Sequence, residues 1–146
     1  MISKSFNKNI LKEKIGLAGC GNMGLPMLNV MLSKNIDAKG YDIEKKKSLL
    51  SLGKDFVSSK KKFLDDRNII ISVVRDASDT LELCQGNNGL FEQQSSKVLI
   101  IASTLSPKFI MDLKFHYIKE YRYLILDYLL KPCMLLLLLL DCEEEC

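Results

Sequence analysis

The sequence predicts an α/β domain built on a doubly wound parallel sheet, and three observations predict it. Short β-rich runs alternate with longer stretches of helical period along most of the 146 residues. Two of those runs, NIIISVV at 68–74 and KVLIIAS at 97–103, are continuously apolar and rich in β-branched residues, the pattern of strands covered on both faces. A glycine-rich turn, GCGNMG at 19–24, stands between the first predicted strand and the first helix. Strands that alternate with helices pair in parallel through right-handed crossovers, which puts helices on both faces of the sheet.

In chain order, residues 14–19 (KIGLAG) form the first strand. Residues 23–34 form a helix, because Met23, Met27, Val30 and Met31 recur at helical spacing. A second strand at 36–41 leads to a helix at 44–52 closed by Gly53. A short third strand is expected near Phe56 and Val57, then a lysine-rich helical turn at 60–64. The fourth strand, 68–74, and the fifth, 97–103, are the most apolar and are expected at the centre of the sheet. Between them lie a helix at 76–84 and a turn cluster, QGNNG, at 85–89. Ser106 before Pro107 is an N-cap followed by proline at the first helical position, opening a helix to about Tyr121. YLILD at 123–127 is a sixth strand. No internal repeat is present.

Length and composition bound the function. The chain is one domain's worth of sequence, long enough to bury a core without disulfides or metal. With 47% hydrophobic and 27% charged residues it lies near the globular average, which argues against a disordered or disulfide-scaffold protein. The 21 basic residues exceed the 18 acidic ones only slightly, and the lysines are scattered, so no nucleic-acid partner is expected. The cysteines (Cys20, Cys84, Cys133, Cys142, Cys146) are odd in number and form no C-x-x-C pair, and His116 is the single histidine. Neither a disulfide framework nor a metal site is expected, and a reducing compartment is the simpler reading.

Residues 1–13 form an N-terminal extension without the apolar core of a secretory signal. The extension has no arginine and carries Glu13, so the cytoplasm is expected ahead of a mitochondrial destination, which stays open. Residues 128–146 form a low-complexity leucine-rich and acidic tail. Its apolar run at 133–140 falls far short of the roughly 20 residues a spanning helix needs, so no membrane partner is expected. The tail is either a terminal strand or partner-binding segment, or the aggregation-prone end of a truncated or frame-shifted product, and the second reading is preferred.

The chemistry is concentrated in Gly19-Cys20-Gly21-Asn22-Met23-Gly24, a G-x-G-x-x-G that follows a strand and opens a helix. The first glycine permits the tight turn, the second lets a pyrophosphate approach the backbone, and the third lets helix and strand pack closely. The helix N-terminus adds free N–H groups and the positive end of a dipole, which completes an anion cradle. Asp42 ends the second strand 23 residues after Gly19, where a carboxylate bonds the adenosine ribose hydroxyls. Its charge would repel a 2′-phosphate and favours NAD over NADP, although Lys45, Lys46 and Lys47 follow it. Asp42 is also placed to cap the helix expected at Glu44, and the two roles are compatible. Cys20 is read as a small residue filling the turn, and His116 as a helix-surface residue remote from the strand ends.

Four segments in order carry a resemblance. IGLAGCGNMGLPM, IIISVVRDASD, QGNNGL and IIASTLSP are similar to motifs of the NAD(P)-dependent β-hydroxyacid dehydrogenases, such as the 3-hydroxyisobutyrate dehydrogenases, whose cofactor domain is of the 6-phosphogluconate dehydrogenase type. The resemblance spans about residues 15–127 and implies a Rossmann-type domain at 14–127, incomplete at its C-terminal edge. It implies that Gly19, Gly21, Asn22, Met23 and Gly24 hold the pyrophosphate and Asp42 the ribose. Val74 and Arg75 would then lie along the middle of the cofactor, and Thr104 near the nicotinamide. Arg75 stands where the family usually has proline. Asp127 begins the family's substrate loop, but Asp127-Tyr128-Leu129-Leu130-Lys131-Pro132 lacks its serine and glycines. The family's general acid/base lysine belongs to a helical second domain, so no catalytic residue is assigned here and a small β-hydroxyacid is expected as substrate only where that domain is supplied. The alternative is a catalytically silent dinucleotide-binding fragment or interaction module from a truncated gene.

Overall fold

The structure, a computed structural model, describes residues 13–93, 97–117 and 123–127, the last five and residues 116 and 117 by backbone alone. Five strands, β1 (Ile15–Ala18), β2 (Ala38–Tyr41), β3 (Ile69–Ser72), β4 (Lys97–Ile101) and β5 (Tyr123–Asp127), form one sheet in the order β2-β1-β3-β4-β5. Every pairing is parallel. The chain steps outward from β1 to β2, then crosses back to lay β3 on the other side of β1. That reversal is the topological switch point, and it opens a crevice at the C-terminal ends of β1 and β3 where open α/β sheets bind ligands.

The helices are α1 (Gly24–Ser33), α2 (Lys47–Leu50), α3 (Lys60–Asp66), α4 (Ala77–Gln85) and α5 (Pro107–Tyr117), with short 3₁₀ turns at Gly53–Asp55 and Leu90–Glu92. Alternate residues of each strand face opposite layers. Ile15, Leu17, Ile69 and Ile71 pack with Met27, Leu28 and Met31 of α1 and Leu49 of α2. Ala18, Ile70, Leu99 and Ile101 pack with Phe63 and Leu64 of α3, Leu83 and Cys84 of α4, and Ile110 and Leu113 of α5. Two apolar layers, one on each face, make the sheet doubly wound, and each fully buried aliphatic side chain contributes roughly 1.5–3 kcal/mol. β3 and β4 are interior strands, as their unbroken apolar sequences required.

Three expectations are corrected. The strand near Phe56 is one isolated parallel bridge between Gly40 and Phe56, because the 3₁₀ turn ends at Asp55 and Ser59 already caps α3 by accepting from the Lys62 amide. The sheet therefore has five strands and not six. The helix expected at 44–52 shrinks to the single turn of α2, because its first residues, Glu44 to Lys46, are charged and exposed and have no apolar face to bury. Asp42 is consequently not its N-cap. The N-terminal extension, the end of the last helix at 118–121 and the leucine-rich tail lie outside the described residues.

The opposite edge of the sheet, at the strand N-termini, is a charged brace. The buried Arg67 guanidinium bonds Asp37 Oδ1 at 2.6 Å and Asp66 Oδ2 at 2.5 Å, and Asp66 also pairs with Lys14 and Lys39. The buried Lys97 ammonium donates to the Arg67 carbonyl at 2.6 Å. The Arg67 and Lys14 bonds hold the Asp66 carboxyl well below the usual carboxylate range.

Candidate dinucleotide site

The glycine turn takes its shape from two close approaches and one open face. Gly19 has φ +95, a left-handed conformation, and a Cβ there would meet the Val73 carbonyl oxygen at 2.6 Å. At Gly24 a Cβ would fall onto the Gly19 carbonyl oxygen, so only glycine lets α1 start this close to the end of β1. Gly21 differs from both, since a Cβ there would meet nothing within 4 Å. Gly21, Asn22 and Met23 are exposed, and among the described residues no hydrogen bond is made by their amides. The first turn of α1 carries no acidic side chain, and its N-cap, Met23, makes no side-chain cap bond. Open amides at an uncapped helix N-terminus form a cradle for an anion.

The turn is held from two sides. The Gly19 amide donates to the Tyr41 carbonyl at 2.9 Å and the Val73 amide to the Ala18 carbonyl at 2.8 Å, which fixes it between the ends of β2 and β3. Asp42, half-buried, accepts from the Cys20 amide through Oδ2 and from the Glu44 amide through Oδ1, both at 2.8 Å. A carboxylate has about four acceptor positions, so these bonds leave capacity for hydroxyl donors. Cys20 fills the turn as expected: it is 3% exposed, and burial first, with the Asp42 charge second, pushes its thiol up to about 12. It is not a nucleophile.

The loops after β3 and β4 form the other wall. The Ser103 hydroxyl donates to the Val74 carbonyl, latching the two loops together. Val74 is half-buried, while Arg75 and Thr104 are exposed. Arg75 pairs with Asp79 at 3.0 Å, and Asp79 raises its pKa. Asp76 caps α4 by accepting from the Asp79 amide at 2.9 Å, and the Ser106 hydroxyl caps α5 through the Phe109 amide at 3.2 Å. Lys46 pairs with Glu44 at 2.9 Å. Lys46, which interacts with Asp42, and Arg75 each have a carboxylate partner of their own. His116 lies near the C-terminal end of α5, and an antiparallel crossover helix ends at the opposite edge of the sheet.

All nine residues singled out in the sequence occupy the C-terminal edge of the sheet, Gly24 at the start of α1 and the others in the turns after β1, β2, β3 and β4. The bonds from Asp42 to the Cys20 amide and from Ser103 to Val74 were not foreseen. Both acceptor and donor stand at strand ends, the one signal that could have suggested them. Among the described residues no group of three or more His, Cys, Asp or Glu side chains could hold a metal ion, and no helix is long and apolar enough to cross a membrane.

Comparison with known proteins agrees with this geometry. Residues 14–127 match the family model for the NAD binding domain of 6-phosphogluconate dehydrogenase. The mitochondrial 3-hydroxyisobutyrate dehydrogenase of Bos taurus is 28% identical over 99 residues, covering 66% of this chain and 30% of the bovine enzyme. A variant imine reductase of Myxococcus stipitatus in complex with NAD+ superposes with a TM-score of 0.68 at 18% identity, over 84% of this chain and 43% of that one. The same reductase in complex with NADP+ gives 0.67 at 18% identity, over 83% of this chain and 43% of that one. The 3-hydroxyisobutyrate dehydrogenase of Mycobacterium tuberculosis gives 0.64 at 18% identity, over 79% and 39%. The chain spans less than half the length of each of these relatives. With the family model matched over most of its length, the chain belongs to the family of 6-phosphogluconate dehydrogenase NAD-binding domains.

Proposed function

We propose that residues 14–127 are the nicotinamide-dinucleotide-binding domain of a 3-hydroxyisobutyrate dehydrogenase-like oxidoreductase, with NAD preferred over NADP. The observation that carries this reading is the contrast among the glycines: Gly19 and Gly24 are closed against backbone, whereas Gly21 faces open space beside free amides. That is the shape a pyrophosphate needs, and the residues present fit it. Gly19, Gly21, Asn22, Met23 and Gly24 hold the pyrophosphate, Asp42 the ribose, Val74 and Arg75 the middle of the cofactor, and Thr104 the nicotinamide end. The Asp42 charge, and the pairing of Lys46 with Glu44 and Arg75 with Asp79, disfavour a 2′-phosphate. The bound cofactor supplies hydride chemistry, and the protein supplies orientation.

In the whole enzyme the reaction would be hydride exchange with a small β-hydroxyacid, completed by a helical domain that contributes the general acid/base. The buried free thiols of Cys20 and Cys84 suit a reducing compartment, and the cytoplasm is our assignment. A second reading, a silent dinucleotide-binding module, is favoured by one observation: residues 127–132 read DYLLKP, without the serine and glycines of the substrate loop. A turnover assay with NAD+ and 3-hydroxyisobutyrate separates the two. The first reading predicts NADH formation once a helical domain is supplied in the same or a second chain. Nucleotide binding that never leads to turnover in that complemented protein would establish the second.

A further inference from the structure

We infer that Asp42 is a positioning residue for the phosphate-binding turn as well as a ribose ligand, so that one carboxylate couples the two halves of dinucleotide recognition. This deepens the proposed function and rests on it. The Cys20 amide lies between Gly19 and Gly21, and its hydrogen bond to Asp42 Oδ2 ties the backbone of the turn to the end of β2 across 22 residues. The second oxygen accepts from the Glu44 amide, which fixes the carboxylate from its other side. Cys20 itself is nearly fully buried, with its sulfur against the Leu17 and Tyr41 carbonyls, so solvent does not readily replace a lost acceptor. An amide left without a partner in this part-buried position carries a desolvation penalty, and the turn relaxes to find another acceptor. Relaxation at Cys20 moves Gly21, whose open face is the phosphate floor.

The consequence concerns cofactor choice. Removing an acidic residue at this position would ordinarily relieve repulsion toward a 2′-phosphate. Here the same change loosens the turn that both cofactors need, so NADPH gains nothing. The test measures wild type, Asp42→Ala and Asp42→Asn with NADH, NADPH and inorganic pyrophosphate, together with hydrogen exchange of the Cys20 amide. Inorganic pyrophosphate has no ribose, so removing a residue that acts only on the ribose leaves its affinity unchanged or, with one negative charge fewer beside the turn, raises it. The expected result for Asp42→Ala is pyrophosphate affinity down about tenfold, Cys20 exchange faster by a similar factor, and no gain for NADPH. Asp42→Asn keeps one acceptor oxygen and falls between, and it carries the test should the alanine variant not fold. Pyrophosphate affinity at or above the wild-type value, with wild-type Cys20 protection, in a variant that has lost NADH would overturn the coupling alone. A wild-type protein that binds neither NADH nor pyrophosphate would overturn the proposed function, and the phosphate role with it.

Discussion

Two glycines of the same turn should respond to alanine in opposite ways. At Gly24 the added Cβ falls onto the Gly19 carbonyl oxygen and comes within 3.0 Å of Leu17 Cδ2. The obstructing atom is backbone at the end of a central strand, so α1 must lift away from β1. Overpacking costs about 1–3 kcal/mol, and a rigid backbone partner places this case at the top of that range. Alanine returns up to about 1 kcal/mol within a helix, which leaves a net loss of about 2 kcal/mol. At about 4 °C per kcal/mol for a domain of this size, Tm should fall by about 8 °C. At Gly21 the Cβ enters open space and φ is not left-handed, so stability should stay within about 0.5 kcal/mol. That methyl group instead occupies the approach of a pyrophosphate, and NADH affinity should fall at least about tenfold, or about 1.4 kcal/mol. Thermal unfolding by circular dichroism and an NADH fluorescence titration of both variants read the two effects. A Gly24→Ala protein with unchanged Tm would show that α1 does not need the close approach to β1, and a Gly21→Ala protein with unchanged NADH affinity that the open face is not the phosphate approach.

Further expectations follow from the same contacts. Site-resolved alkylation at pH 8.5 should label Cys20 and Cys84 far more slowly than a free thiol, since burial pushes each to about 12; rapid labelling of either in the folded chain would contradict this. The Asp66 carboxyl is held below its ordinary value by Arg67 and Lys14, so its stabilising contribution is fully present above about pH 4 and is lost as pH falls through the lower folded value. Asp66→Asn should therefore lower the urea midpoint at pH 7 and flatten its decline below pH 4, and a decline as steep as wild type would count against the assignment. Arg67→Ala should cost about 2–3 kcal/mol in urea unfolding, through lost packing of a side chain 2% exposed and loss of both ion pairs. The figure stays below that of a wholly buried pair because Asp37 and Asp66 are 53% and 41% exposed and can be rehydrated. A loss under 1 kcal/mol would show that the brace is dispensable.

The sheet was legible because its signals are local. β3 and β4 announce themselves as unbroken β-branched runs, and β5 was read to the residue. Asp76 and Ser106 each cap a helix, although only the second was read from its Ser-Pro sequence. The glycine turn was legible because a fixed motif encodes the close approaches at Gly19 and Gly24 and the open face at Gly21. Phe56 and Glu44 misled for the opposite reason. An apolar pair and a charged run look like the start of a strand and a helix, yet a 3₁₀ turn on one side and a cap on the other leave room for one bridge, and Asp42 takes the Glu44 amide for a turn of its own. The Arg67 brace could not be read at all. Its members, Lys14, Asp37, Lys39, Asp66 and Arg67, come from three separate segments, and only the completed sheet brings them to one edge.

The proposed function requires that the turn at 19–24, with Asp42, receive a nicotinamide dinucleotide. The most direct measurement is a titration of the purified chain with NADH and with NADPH, followed by nucleotide fluorescence, with folding verified by circular dichroism in the same sample. Saturable binding of NADH and weaker binding of NADPH are expected. A folded chain that binds neither nucleotide would contradict the proposed function.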